Sequence, residues 1–155
     1  MRAHPASIPM LCLLTALGGF LATALLPAAQ SAGGGRMLSA TERAGYEVYL
    51  REGCASCHTQ QVRAIEAKFG VVRQPGDIGE VSRPADYALE NPTALGLVRI
   101  GPDLAHVGAR IQSAVEMERA IREPQRRSPG GRMPPHPYLS GEELRALVAY
   151  LLSLR

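Results

Sequence analysis

Two cysteines and a histidine follow one another as Cys54, Cys57 and His58 in the segment 51–63, "REGCASCHTQQVR". The order Cys-x-x-Cys-His is the attachment signature of c-type haem. Each thiol can add to a vinyl group of the porphyrin, the two intervening residues let both sulfurs reach it, and the adjacent imidazole can bind the iron. The one other cysteine, Cys12, lies in an apolar N-terminal run and is interpreted as a small apolar side chain. The motif therefore predicts one covalent haem c on Cys54 and Cys57, with His58 as an axial ligand of its iron.

Two other uses of this cysteine pair are less favoured. A zinc site needs four ligands, so Cys54 and Cys57 would have to recruit His106 and His136 at a spacing unlike that of familiar zinc modules. A thioredoxin-like redox pair needs a βαβ setting, and the sequence has no alternating run of useful length that predicts strands. Both readings stay open behind haem attachment.

A second axial ligand is expected, and methionine is the common partner of histidine in electron carriers. Met133 follows the pliable "SPGG" and precedes two prolines, which impose an extended backbone from which a thioether can face the iron. Met117 has helical spacing to its apolar neighbours and is interpreted as core packing. The remaining methionines lie in the N-terminal region and linker: Met1, Met10 and Met37. Met133 is therefore the predicted ligand, with His106 and His136 as the alternatives.

The elements that must hold these ligands are predicted to be helices joined by long loops. From Thr41, "TERAGYEVYLREGC" predicts a helix in which Gly45, four residues before Tyr49, leaves a notch for another helix. A capping box at 140–143, "SGEE", begins a C-terminal helix with one apolar stripe. A third helix is expected over 111–123 and stops at Pro124. The prediction is a small all-α domain over 41–155, with about three main helices around one haem c.

The N-terminal region predicts a membrane segment. After a short segment of residues 1–7, the run from Ile8 to Leu26 carries no charge and approaches the length of a bilayer-spanning helix. A transmembrane anchor over 8–29 is the prediction, with a cleaved signal peptide as the alternative. Residues 30–40, rich in Gly, Ala and Ser, are expected to form a flexible linker. The net charge of +3 comes without a clustered basic stripe, so nucleic-acid binding is not expected.

Three segments, "GCASCH", "GPDLAHVG" and "MPPHPYLSGEELRALVAYL", resemble those of a class I cytochrome c domain. More specifically, "YLREGCASCHTQQVR" and "RIGPDLAHVGAR" are similar to the monohaem cytochrome c subunit (subunit II) of cbb3-type haem–copper terminal oxidases. That subunit has an N-terminal anchor, one haem c and a long insert, which corresponds here to about 59–99. The resemblance implies that the Pro102 carbonyl accepts the Nδ1 proton of His58. It also implies that the first helix of the domain crosses the last near Leu147 and Tyr150.

The same resemblance implies an electron-transfer subunit that is not an enzyme by itself. It would relay electrons from a cytochrome c-type donor to the catalytic subunit of a membrane respiratory oxidase. The protein would be single-pass in the inner (cytoplasmic) membrane, with its haem domain on the periplasmic side. The alternatives are a freestanding membrane-tethered or periplasmic cytochrome c shuttle, or the haem c subunit of a nitric oxide reductase-like complex.

The insert and the arginines bear on these alternatives. A free carrier needs only a short loop after the haem motif, so the long Pro- and Gly-rich insert favours docking on another subunit over a partly disordered loop. Five arginines are candidates for pairing with haem propionates or an acidic partner surface, or for a solvated basic face. They are Arg99, Arg110, Arg126, Arg127 and Arg132.

Overall fold

The computed structural model describes residues 7–31, 34–69 and 79–155. Within these ranges the chain is helical and contains no β-strand, which confirms the predicted all-α class. The α-helices, in chain order, are α1 (Ser7–Ser31), α2 (Ala40–Arg51), α3 (Ala64–Phe69), α4 (Val107–Arg110), α5 (Ala114–Arg122), α6 (Pro124–Arg127) and α7 (Gly141–Ser153). Two 3₁₀ turns, Cys54–Ser56 and Pro84–Tyr87, interrupt the loops.

The chain divides into two compact units. The first contains α1, the chain that follows it up to Arg36, and the insert residues Pro84–Leu89. The second contains Met37–Arg83 and Glu90–Arg155. The insert therefore contributes to both units, whereas the sequence placed all of it in the domain over 41–155.

In the first unit, α1 carries a stretch that is long and apolar enough to cross a membrane, Ile8–Pro27, of 20 residues. Its apolar side chains are exposed, Leu14 and Phe20 among them, as suits a helix surrounded by lipid. α1 continues past the predicted end of the anchor at residue 29 and ends at Ser31. Of the predicted N-terminal segment 1–7, only Ser7 lies among the described residues.

The predicted linker has contacts of its own in the first unit. A Cβ built on Gly34 would lie 2.1 Å from the Cβ of Ala85. Gly35, with φ of +94°, approaches Leu89 in the same way, since a Cβ there would lie 2.8 Å from Leu89 Cγ. These two linker residues therefore pack against the insert, and only a backbone without side chains allows the approach.

In the second unit, α2 and α7 begin with the same capping box. The hydroxyls of Ser39 and Ser140 accept the backbone N–H of Glu42 and Glu143, whose carboxylates accept the backbone N–H of the two serines. This arrangement satisfies N–H groups that have no partner within the helix. It fixes where each helix starts, and hence which of its faces meets the other.

The crossing of α2 and α7 forms the centre of this unit. A Cβ on Gly45 would lie 1.9 Å from the carbonyl oxygen of Ala146, so the notch predicted from the sequence is where the two backbones meet. Tyr150 packs edge-on between Tyr46 and Tyr49, at ring-centroid distances of 5.4 Å and 5.6 Å. Tyr49 and Tyr150 are fully buried. The crossing thus anchors the end of α2, from which the Cys-x-x-Cys-His motif continues.

The third predicted helix is present but shorter than expected. It begins at Ala114 as α5 because Ser113 is its N-cap and accepts the N–H of Glu116. Met117 and Ile121 on its inner face are buried in the same core as α7. Pro124 does not merely end this helix but begins the short α6, a position that proline favours.

Candidate functional site

The Cys-x-x-Cys-His motif is folded into a compact turn directly after α2. Gly53, with φ of +69°, occupies the left-handed region that glycine favours and redirects the chain out of α2. A 3₁₀ turn follows, and the Cys54 carbonyl accepts the backbone N–H of both Cys57 and His58, at 3.1 Å and 3.0 Å. Both thiols are free and half-buried. Burial raises the pKa of the Cys54 thiol to about 11, so this sulfur stays protonated at neutral pH.

The His58 imidazole is oriented by a backbone carbonyl. Its Nδ1 lies 2.8 Å from the carbonyl oxygen of Pro102, and because a carbonyl can only accept, Nδ1 is the donor. Burial lowers the pKa of His58, against the opposing effects of the Pro102 hydrogen bond and Asp103. The ring is therefore neutral at neutral pH and has its lone pair on Nε2, the form that binds a metal.

Gly101 makes room for this ring. A Cβ at Gly101 would lie 2.3 Å from Cε1 and 2.7 Å from Nδ1 of His58. The imidazole thus rests on bare backbone, and any larger residue would displace it. Two thiols and a neutral imidazole, brought together by one turn and seated in a cradle that a side chain would fill, fit a covalently attached haem.

Met133 lies on another loop, between α6 and α7. It is half-buried and non-helical, and its carbonyl accepts the Gln125 Nε2–H at 2.8 Å. Met117 is buried in the core, as its helical spacing predicts. Of the histidine alternatives, His106 has its Nε2 3.3 Å from the Glu80 carbonyl. His136 is buried with no hydrogen-bond partner for Nδ1.

A model of the FixO family, described as the mono-heme subunit of cytochrome c oxidase, matches residues 20–153. The chain belongs to this family. It is thus a monohaem cytochrome c subunit of an oxidase, which implies a role in electron transfer and one haem. None of the curated proteins searched matches the chain.

Membership in the FixO family agrees with the chemistry of the motif and weakens the zinc alternative. Among the residues that the structure describes, no three His, Cys, Asp or Glu side chains are grouped closely enough to hold a metal ion. Cys54 and Cys57 therefore lack the two histidines that a zinc site would require from elsewhere in the fold. A βαβ setting for a redox pair is also missing from the described ranges.

Beside His58 is a group of residues that the sequence did not predict, which we call the Arg99 cluster: Thr59, Glu66, Arg99 and Asp103. The Arg99 guanidinium donates to Glu66 Oε1 at 2.5 Å, to Asp103 Oδ2 at 2.9 Å and to Thr59 Oγ1 at 2.7 Å. Arg99 thus turns inward to two buried carboxylates of its own chain. Its spacing of four residues from Asp103 was a weak local signal, but no pattern indicated Glu66.

The other candidate arginines differ from Arg99. The Arg110 guanidinium donates to the backbone carbonyl of Asp103, beside the same cluster. Arg126 forms an ion pair with Glu123 at 2.8 Å in which both side chains are at least half exposed. Arg127 and Arg132 are exposed. These three arginines are therefore on the surface, where both readings of the sequence, a solvated basic face and pairing with a propionate or a partner, stay predictions.

Proposed function

We propose that the chain binds one haem c through thioether bonds to Cys54 and Cys57, with His58 and Met133 as the axial ligands of the iron. When bound, the haem supplies a single centre that takes up and releases one electron. The observation that carries the proposal is the 2.8 Å hydrogen bond between His58 Nδ1 and the Pro102 carbonyl. It leaves Nε2 unprotonated and directed away from Pro102, on the residue that directly follows Cys57.

Each residue of the site has a separate task. Cys54 and Cys57 fix the position of the group covalently, so that it cannot dissociate. The Pro102 carbonyl holds the tautomer of His58 and increases the basicity of Nε2. Met133 contributes a soft thioether, which favours the reduced state of an iron centre and so raises the potential. If His58 and Met133 both bound the iron, no position would be left for a substrate, which agrees with a subunit that transfers electrons and does no chemistry by itself.

We further propose that this chain relays electrons within the oxidase, from an external cytochrome c or a dihaem subunit to the catalytic subunit. The FixO family supports an oxidase subunit over a nitric oxide reductase-like complex or a free shuttle. The apolar stretch Ile8–Pro27 supports a membrane anchor, with the haem domain on the periplasmic side, where covalent haem attachment takes place in bacteria.

The surface that would dock on another oxidase subunit lies at the end of the insert. Leu97 is 98% exposed and Val98 is 50% exposed, both directly after Gly96. The same loop returns to the haem motif, since Gly101 N–H donates to the Cys57 carbonyl at 2.8 Å. The one charged side chain between these apolar residues and Gly101 is that of Arg99, which is turned inward. Exposed apolar side chains beside the site are suited to a permanent subunit contact.

Intact mass of the mature chain tests haem attachment. We expect the polypeptide mass plus one haem, retained after acid–acetone extraction, and loss of the added mass in a Cys54→Ser/Cys57→Ser variant. A haem-free wild-type chain, or a chain that holds zinc instead, would contradict the proposal.

Docking is tested better by point substitution than by deleting the insert. Residues 71–94, the obvious deletion, include Pro92, whose carbonyl accepts from Tyr46, and Ala94, which is fully buried. We expect Leu97→Ser/Val98→Ser to retain haem and potential but to lower oxidase turnover and weaken subunit co-purification. The matched control is Val115→Ser on α5, where the side chain is 65% exposed. Unchanged turnover and assembly in the double variant would favour the shuttle.

A further inference from the structure

The Arg99 cluster forms hydrogen bonds between the residues that directly follow His58 and Pro102 in the sequence. Thr59 follows His58, and Asp103 follows Pro102, so the bond from the Thr59 hydroxyl to Asp103 Oδ2, at 2.6 Å, is the next connection after the His58–Pro102 bond. The cluster therefore acts on the two residues adjacent to the ligand and to the carbonyl that orients it.

Backbone hydrogen bonds connect the same two segments on either side. The Cys57 carbonyl accepts from Ile100 N–H at 2.9 Å and from Gly101 N–H at 2.8 Å. On the other side, Leu104 N–H donates to the Thr59 carbonyl at 2.7 Å. The His58–Pro102 pair thus lies in the middle of a ladder, and a shift of Asp103 would be passed directly to the Pro102 carbonyl.

Burial makes the cluster stiff. Asp103 is 7% exposed and Glu66 is 5% exposed, so the Arg99 guanidinium interacts with both carboxylates in an environment with little water. Both carboxylate oxygens of Asp103 accept further hydrogen bonds. Oδ1 accepts Ala105 N–H at 2.8 Å, and Oδ2 also accepts Gln61 N–H at 2.9 Å. A carboxylate held from so many directions cannot move without breaking a charged hydrogen bond.

Glu66 brings the insert into this arrangement. It lies on α3, within the insert, and it accepts from both Arg99 and Arg63. The beginning of the insert is therefore part of the structure that surrounds His58. The beginning of the insert thus differs from its end, the loop of Leu97 and Val98, which is exposed.

We propose that the Arg99 cluster is a positioning device for His58: it fixes the Pro102 carbonyl against Nδ1 and thereby sets how strongly the imidazole donates to the iron. The inference rests on the proposed function, in which His58 is an iron ligand. Thr59, Glu66, Arg99 and Asp103 touch no reacting atom in this scheme and act only through Pro102 and His58.

The decisive substitution is one that loosens the cluster without changing any charge. Thr59→Val removes the hydroxyl that joins Arg99 and Asp103, whereas Thr59→Ser retains it. Asp103→Asn would be ambiguous, because the loss of a negative charge raises a nearby reduction potential whether or not His58 moves. The threonine pair avoids this, since all three proteins carry the same charge.

The experiment compares haem-loaded wild type, Thr59→Ser and Thr59→Val by solvent exchange of the His58 Nδ1 proton in NMR and by the reduction potential. In Thr59→Val we expect exchange about tenfold faster, the factor that corresponds to the loss of roughly one hydrogen bond. The potential should rise, because a less basic imidazole stabilises the oxidised iron less. Thr59→Ser should behave as wild type.

A second, independent variant tests whether faster exchange comes from loosening the cluster rather than from the substitution at Thr59 alone. Glu66→Gln loosens the cluster from the side of the insert and should also speed exchange of the His58 Nδ1 proton. Its control is Glu118→Gln, which removes an exposed carboxylate paired with Arg122 on α5. Equal exchange rates and potentials in Thr59→Val and Thr59→Ser, with no effect of Glu66→Gln on exchange, would overturn the inference. A chain that never acquires haem would instead refute the proposed function, before these comparisons begin.

Discussion

Around His58, hydrogen bonds join the segments 57–61 and 99–105 on both sides of the ring, and the carboxylates between them are buried. Around Met133, the chain is held differently. A turn at Gly131, whose N–H donates to the Ser128 carbonyl at 2.9 Å, and the bond from Gln125 to the Met133 carbonyl support a loop whose neighbouring residues, 128–132 and 134–135, are exposed. One proposed ligand is thus set in a ladder, the other on a surface loop.

This difference has a physical consequence. Segments with few buried contacts open at a lower free energy cost than segments within a buried network. The His58 side of the site is therefore pre-organised by the polypeptide alone, whereas the Met133 side, under the proposed ligation, would gain part of its order from the bond to the iron. Substitutions on the Met133 side should therefore change which groups bind the iron. Substitutions on the His58 side should change the geometry of the ligand.

The largest effect is expected from Met133→Ala. Loss of the thioether should abolish the weak near-infrared charge-transfer band of methionine-ligated ferric haem. The reduction potential should fall by a sizeable part of the range of about 0.8 V that axial ligands span. Visible and near-infrared spectra with a redox titration measure both. Because the cysteines and His58 are untouched, the haem should stay attached.

Met117→Ala is the matched control for this prediction. Met117 is buried in the core with Ile121, so its loss should lower the free energy of unfolding by about 2–5 kcal/mol while the band remains. If Met117→Ala removed the band and Met133→Ala did not, the assignment of the distal ligand would be wrong. If the wild-type protein lacked the band altogether, the buried His136 would become the candidate.

An intermediate effect is expected from adding one methyl group on each side of the site. Gly101→Ala places a Cβ 2.3 Å from the His58 ring, which has to move, and overpacking of this kind costs about 1–3 kcal/mol. Gly131→Ala places a Cβ 2.9 Å from the Ser128 carbonyl, in a loop that can shift. We expect lower haem yield and a changed ligand spectrum for Gly101→Ala only. Similar losses in both variants would show that the two sides are equally rigid.

Much of this site was predictable because its signals are local. The Cys-x-x-Cys-His motif, the "SGEE" capping box and the spacing of Gly45 and Tyr49 each lie within a few residues, and the helices that the last two predict were found. The bond from His58 to Pro102 followed from resemblance to a family, because nothing local relates residues so far apart. The family match and the absence of strands in the described residues agree with the fold class.

The Arg99 cluster could not be predicted in this way. Glu66 and Arg99 are separated by 33 positions, and neither stands in a motif, so only the fold shows that they meet. The sequence suggested that Arg99 faces solvent, a partner or a propionate, since charged residues usually do. Likewise, the contact of Gly34 with Ala85 turns part of a predicted linker into packed chain, a result of chain topology rather than of composition.

The smallest expected effect concerns pH and the buried carboxylate of the His58 side. Burial alone would raise the pKa of Glu66, but hydrogen bonds from Arg63 and from the Arg99 guanidinium outweigh it and lower this pKa to about 2. Since the folded pKa lies below the ordinary value of 4.5, the ionised carboxylate stabilises the fold at neutral pH. That stability is lost as pH falls from about 4.5 towards 2. Glu66→Gln should therefore lower the free energy of unfolding at pH 7, and most of the difference from wild type should be lost near pH 2. Urea unfolding of the haem-loaded chain across this range measures it, and the exposed Glu118→Gln should show almost no difference at either pH.

The free energies of unfolding of wild type and Glu66→Gln could instead differ by the same amount down to pH 2. The carboxylate would then contribute through its shape rather than its charge, and the stiffness assigned to the His58 side would need another cause.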